Sequence, residues 1–168
     1  MPTPQFILDL RRHIGHAPLW LSGITAFVQN AEGKVLMAQR ADTHEWALIY
    51  GITEPGEEPA DTARREVAEE TKIDCVPDYL AGTTTDKKML HYPNGDEALF
   101  INLIYVCHTV PDGRCTPTIG DHENIASGWF NLDHLPQPLA QSTVERLQVI
   151  QQFLQSDDHH AVFQWTHE

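Results

Sequence analysis

Residues 51–73 read GITEPGEEPADTARREVAEETKI. The stretch holds six glutamates and one aspartate against two arginines and one lysine. Pro59 suits a first helical position, where its missing N–H costs nothing, and a helix is predicted from about Pro59 to Lys72. Within it Glu66, Glu69 and Glu70 stand at i, i+3 and i+4, which brings all three to one face. Ala63 and Val67 form an adjoining apolar stripe that anchors the helix to a core. Like charges at these spacings repel by roughly 0.2–0.5 kcal/mol per pair, and Arg64 and Arg65 offset part of that. Three carboxylates on one face, with Glu57 just before the helix, suit a hard cation. Mg²⁺ takes oxygen ligands, keeps several waters, and needs only a few carboxylates plus substrate oxygens.

The pattern runs wider than the helix. Gly51, Glu57, Arg65, Glu66, Val67, Glu69, Glu70 and Ile73 together resemble the signature of the Nudix (MutT-like) hydrolases, G-x(5)-E-x(7)-R-E-U-x-E-E-x-G-U, with U aliphatic. One position departs: Lys72 stands where the family has Gly. A second departure lies just upstream, where Ile49-Tyr50-Gly51 replaces the usual Pro-Gly-Gly. The resemblance covers roughly residues 20–155, leaving residues 1–15 and the tail 156–168 outside. It implies one α/β domain spanning 1–168, a Nudix-type α/β/α sandwich with a mixed β-sheet. It also implies Mg²⁺- or Mn²⁺-dependent hydrolysis of a nucleoside diphosphate linked to another moiety, or of a nucleoside triphosphate. In that reading Glu66, Glu69, Glu70 and the backbone carbonyl of Tyr50 are the metal ligands. Glu69 or Glu123 is the general base, Glu123 resembling the downstream acid that many members carry before an aromatic-containing strand. Arg65 orients the glutamates through charge-assisted hydrogen bonds. Glu57 ligates through water or pairs with Arg65. A bulky Tyr50 would reshape the adjoining loop or pocket. Lys72 in a left-handed conformation would cost roughly 1 kcal/mol, and its charge suits a helix C-terminus.

Outward from this stretch the elements alternate. QFILDLRRHIG (5–15) reads as a short helix ending near Gly15. LWLSGITAFVQN (19–30) reads as a strand, and KVLMAQR (34–40) as the second arm of a hairpin. DTHEWALIY (42–50) is a loop entering a short strand. Residues 75–85 and 97–110 are further strands, the latter apolar enough for a central position, with HYPNGD (91–96) as the turn between them. SGWFNL is a short extended piece. Residues 139–155 carry apolar side chains at 144, 147, 150, 153 and 154, a helical period. This order gives one mixed α/β layer structure.

The formal net charge of −13 argues against a direct grip on a nucleic-acid backbone, because phosphate contacts need Lys and Arg. It leaves room for an anionic substrate reached through a divalent cation. The N-terminus lacks a secretory pattern and no apolar run reaches membrane length. Cys75, Cys107 and Cys115 show no metal spacing, and a reduced cytoplasmic setting is expected. For the small nucleotide-type substrate, Tyr92 is a candidate to stack on a base and Asn94 or Asp96 to hydrogen-bond it. Trp46 is either a stacking platform or core packing. Two other readings share the fold: a nucleotide-binding sensor without turnover, and an isoprenyl diphosphate isomerase, whose cysteine motif is not visible here. The apolar AVFQW near the C-terminus would pack against a homodimer partner or on the same chain.

Overall fold

The computed structural model describes residues 3–120 and 122–164. In chain order the elements are α1 (Gln5–Ile14), β1 (Leu19–Gln29), β2 (Val35–Arg40), β3 (Trp46–Ala47), β4 (Ile49–Ile52), α2 (Pro59–Thr71), β5 (Cys75–Thr85), β6 (Leu90–His91), β7 (Glu97–Thr109), β8 (Asn124–Phe130) and α3 (Gln141–Leu154). The sheet is built on β1 and β7, which run parallel in unbroken register from Leu19–Ala98 to Gln29–His108. Antiparallel β5 covers the other side of β7. The apolar run at 98–110 is therefore internal, as expected.

The alternation of strand side chains divides the core into two. Ile24, Ala26, Val28, Leu36, Ala38 and Ile49 face Ala63 and Val67 of α2. Phe27, Val35, Met37, Leu48 and Ile104 face Leu147, Ile150 and Phe153 of α3. Two helices thus sandwich one mixed sheet, the α/β/α arrangement read from the sequence. A third, smaller cluster seats Ile7 of α1 against Leu21 and Ala98.

The predicted hairpin holds only at its turn. β1 and β2 pair at Gln29–Val35 and then separate. β4 takes the freed edge of β1, with Ile49–Ile52 opposite Ala26–Gly23. β2 turns away to pair with β8 and β3. The physical reason is competition for one strand edge: β4 and β2 cannot both hydrogen-bond it. The separated strands stay linked through side chains, Arg40 of β2 donating to the Tyr50 hydroxyl of β4.

α3 also differs from its sequence reading. Its buried residues are Thr143, Leu147, Val149, Ile150 and Phe153, whereas Val144 and Leu154 are exposed. The stripe is shifted because the Thr143 hydroxyl is needed inside, where it accepts the Leu48 N–H at 3.1 Å in a fully buried position. The C-terminal apolar patch returns to its own chain at Val162, whose N–H donates to the Ala81 carbonyl at 2.7 Å; Phe163 stays exposed and Trp165 lies outside the described residues. Cys75 and Cys107 are buried and Cys115 is exposed, all as free thiols. No helix among the described residues is long and apolar enough to cross a membrane.

The Thr143–Leu48 bond gives the first test. Thr143→Val keeps the shape but leaves a buried N–H without an acceptor, a loss of about 1–3 kcal/mol. Thr143→Ser keeps the acceptor and should lose less. Urea unfolding of both variants checks this, and equal losses would show that packing, not the hydrogen bond, sets the position.

Candidate active site

α2 begins at Pro59, with Glu58 extended before it and its carbonyl accepting the N–H of Thr62. The helix lies against β4, and the two approach most closely at Gly51. A β-carbon on Gly51 would stand 2.1 Å from Cδ of Glu66. Only glycine lets the Glu66 carboxylate lie on the strand backbone. That contact is the physical content of the fixed spacing between the first glycine and the glutamates.

Arg65 ties the site together. Its Nε and Nη2 donate to the two oxygens of Glu57 at 2.8 and 3.0 Å. Its Nη1 donates to Glu66 Oε1 at 2.7 Å and to Glu69 Oε2 at 3.3 Å. Nη2 also reaches the Ile52 carbonyl at 3.2 Å. One guanidinium therefore joins the loop before the helix, the helix itself and strand β4. The three acids respond differently. Glu57 is held down to about 2 by its paired hydrogen bonds from Arg65. Glu66 is pushed up to about 7, because burial outweighs the Arg65 charge. Glu69 has about half of its side chain, 52%, in solvent.

The Oε2 atom of Glu66 is buried and has no hydrogen-bond partner. An ionised buried oxygen without a donor is costly, and a cation is the ligand that removes the cost. Among the described residues, no three His, Cys, Asp or Glu side chains converge tightly enough to enclose an ion by themselves.

The far end of α2 is closed by a distant segment. Lys72 adopts the left-handed conformation, φ 60° and ψ 17°, and its N–H returns to Ala68. Its Nζ reaches the Glu69 carbonyl at 3.3 Å. The N–H groups of Thr118 and Gly120 donate to the carbonyls of Thr71 and Glu70 at 3.0 and 2.8 Å. Gly120 lies so close that a β-carbon there would sit 1.7 Å from the Glu69 carbonyl oxygen. These bonds satisfy carbonyls that a helix end leaves open. The same connection leads into β8, where Asn124 donates to Glu70 Oε2 at 3.0 Å.

Each sequence candidate has a definite place. Glu66, Glu69 and Glu70 share the α2 face, with Arg65 and Glu57 beside them. Glu123 adjoins Asn124, and its carbonyl accepts the Ala41 N–H at 2.7 Å. The Tyr50 side chain projects from β4 on the face opposite Glu66. Its hydroxyl accepts from Arg40 Nη1 at 2.5 Å, and Arg40 and Arg146 both lie over its ring, 5.5 and 5.2 Å from the centroid. Trp46 is partly buried and packs against the α3-side core, edge-on to Phe130 at 4.9 Å. Asn94 bonds within its own turn, accepting the Asp96 N–H and donating to Asp96 Oδ2, both at 3.0 Å. That turn is fastened through Asp96 to His16, just beyond α1, at 2.7 Å, and to Arg11 of α1 at 3.3 Å. Tyr92 is 43% exposed on the same turn, within electrostatic reach of Asp86 and Arg40.

Sequence reasoning did not single out Asn124, Arg40 or Arg146. Asn124 is the neutral neighbour of an acid that drew the attention. Arg146 stands three residues after buried Thr143 and four before buried Ile150, so a cation flanking a buried stripe was the available signal.

Comparison with known proteins agrees with this geometry. A MutT-like protein of Streptomyces ambofaciens is 29% identical over 130 residues, covering 77% of this chain and 76% of that protein. A putative ADP-ribose pyrophosphatase of Bacillus subtilis (strain 168) is 26% identical over 134 residues, covering 79% of this chain and 61% of that protein. The crystal structure of a MutT NUDIX hydrolase from Burkholderia pseudomallei superposes with a TM-score of 0.63 at 24% identity, over 79% of this chain and 98% of that one. The NUDIX domain family profile matches residues 20–153, nearly the span over which the residues themselves carry the pattern, and the chain belongs to that family.

Proposed function

We propose that this protein is a pyrophosphohydrolase that cuts the diphosphate bond of a nucleoside diphosphate linked to another moiety, or of a nucleoside triphosphate, with Mg²⁺ or Mn²⁺ bound. The observation that carries this reading is the Glu66 carboxylate, buried against Gly51 with one oxygen on Arg65 and the other without a donor. Glu66, Glu69 and Glu70 would hold the ion, with the Tyr50 carbonyl as the backbone oxygen beside the box glycine. A bound divalent cation neutralises the diphosphate and acidifies a water.

The chain's own residues supply the rest. Glu57 remains ionised and occupies two donors of Arg65, which fixes the guanidinium. Arg65 then holds Glu66 and Glu69 in a set relation. Glu69, half exposed and within reach of Arg65, would take the proton of the attacking water. Glu123 is the second candidate for that role, next to the residue that touches Glu70. Asn124 steers Glu70 by donating to it. The putative ADP-ribose pyrophosphatase among the relatives puts ADP-ribose first among substrates to try, although the chain lacks the proline placement expected of many such enzymes. Nucleotide sugars, dinucleotide polyphosphates and nucleoside triphosphates follow.

Glu69→Gln and Glu70→Gln should each lower Mg²⁺-dependent release of phosphate, after a coupled phosphatase, by at least about 100-fold. Their melting temperatures should stay near that of the wild type. Unchanged rates in both variants would sink the assignment. Binding of these compounds in Mg²⁺ without turnover would instead favour a sensor.

A second test uses the metal-free protein. The Glu66 carboxyl titrates near 7 when folded and near 4.5 when unfolded. Between those values the folded state keeps a proton that the unfolded state has lost. Stability contributed by this group is therefore full below about pH 4.5 and falls as pH rises through 7, by up to about 3 kcal/mol. In chelator, Glu66→Gln should melt above the wild type at pH 8, and the gap should close near pH 5. Mg²⁺ should raise the melting temperature of the wild type and not that of the variant. A gap of the same size at both pH values would refute this account of Glu66.

A further inference from the structure

The second face of the sheet holds a cation that the hydrolytic reading does not use. Arg146 rises from α3 toward Tyr50 and the end of the α3-side core. Its Nη2 donates to Asn102 Oδ1 at 3.3 Å. Its Nη1 is shut off from solvent and has no acceptor. Among the described residues no carboxylate pairs with it. The nearest acid in this network, Asp86, is already engaged: Oδ1 accepts from Asn102 Nδ2 at 3.2 Å and Oδ2 from the Phe100 N–H at 3.0 Å. Among the described residues Arg146 thus forms no direct ion pair, and the charges of Asp86 and Glu145 reach it only at a distance. Such a group costs several kcal/mol unless something offsets it.

Its neighbours differ in this respect. Arg40 over the same ring has an acidic partner, with two bonds to Asp42 at 2.9 and 3.0 Å and a third to the Tyr50 hydroxyl. Because Arg40 donates to that hydroxyl, the Tyr50 O–H proton is left to be given elsewhere. Burial keeps the phenol protonated, pushing its pKa up. Thr25 pairs with Tyr50 across the ladder and so points to the same face. Its buried hydroxyl also lacks a partner. Donors without acceptors gather here, and Tyr50 links them to the catalytic edge, because the next residue is Gly51, against which Glu66 lies.

We propose that Arg146 and the Tyr50 hydroxyl form a subsite for an oxyanion of the substrate other than the diphosphate that is cut, a phosphate or carboxylate on the attached moiety. The proposal rests on the hydrolase reading only for the word substrate; the subsite is defined by its own donors. It accounts for the bulky residue at position 50, since a glycine there would supply neither the hydroxyl nor the ring under Arg146.

The test uses full-length protein in chelator, so that no metal takes part. Melting temperatures are measured in inorganic phosphate, in acetate and in KCl of equal ionic strength, for wild type, Arg146→Met, Arg146→Lys and Tyr50→Phe. Phosphate stabilises most proteins slightly, so the quantity read is the shift in wild type beyond that in the variants. Phosphate or acetate should raise the wild-type value by a few degrees more than KCl, and whichever does so identifies the oxyanion. Arg146→Met should abolish the extra shift, while Arg146→Lys and Tyr50→Phe should reduce it. With substrates from the Mg²⁺ screen, Arg146→Met should raise KM roughly 10- to 100-fold, as loss of a charged hydrogen bond does, with kcat little changed.

An equal shift in wild type and Arg146→Met, or none in wild type, overturns the subsite. If Arg146→Met does not fold, undiminished shifts in both Arg146→Lys and Tyr50→Phe overturn it. Turnover of a diphosphate with no dependence on Arg146 also overturns it and leaves the hydrolase intact. An Arg146-dependent shift without turnover of any diphosphate leaves the subsite standing and removes the hydrolase.

Discussion

Glu66 occupies its position only because Gly51 has no side chain. That contact sets strand β4 and helix α2 at a separation no other residue pair would permit. Arg65 then fastens the same two elements from the side, through Glu57 before the helix and the Ile52 carbonyl on the strand. The intervening loop is spanned by charge-assisted bonds, so its conformation follows from its ends. The arrangement is not built for maximal stability. It sinks a carboxylate that burial pushes toward neutrality, and natural proteins tolerate such groups where a ligand makes use of them. Two buried atoms without partners, Glu66 Oε2 and Arg146 Nη1, lie on opposite sides of β4 and belong to groups of opposite charge.

The parts of this molecule that were legible in its sequence are local. Helical spacing placed Glu66, Glu69 and Glu70 on one face and Ala63 and Val67 on the next, and both faces are there in α2. The apolar run at 98–110 announced an internal strand. The parts that were hidden depend on partners far apart in the chain. Nothing in residues 19–40 tells that β1 gives its edge to β4 and lets β2 go, because the competition is between two distant pairings. The shifted stripe of α3 had the same origin: Thr143 is buried for the sake of the Leu48 N–H on a different element. In the site, charge drew attention to Glu123, whereas the amide of Asn124 is the group that touches Glu70. An Asn beside a Glu gives no sequence signal of which one turns inward.

The two departures from the family signature have different physical consequences. Lys72 takes the left-handed conformation that glycine would take, at a cost of about 1 kcal/mol. Its ammonium partly offsets this at the negative end of the helix. The change stays local. Tyr50 alters the opposite face, where its ring fills space and its hydroxyl joins Arg40 to the strand. The carboxylate face keeps the signature residues, while the opposite face of β4 carries the departure from the family pattern.

The docking of residues 118–120 and Asn124 onto the end of α2 bears on how the chain matures during synthesis. All the signature residues have been made once Ile73 is added. Their arrangement is not yet available, because the helix end is closed by N–H groups nearly fifty residues later. β1 also waits for β7 to complete the sheet beneath it. The contacts that order this site are long in sequence separation, a property that slows folding. A nascent chain ending between residues 73 and 118 therefore carries the full acidic pattern on a helix whose far end and supporting sheet are unfinished. The motif is contiguous as text, yet the bonds that close its helix come from residues made nearly fifty positions later.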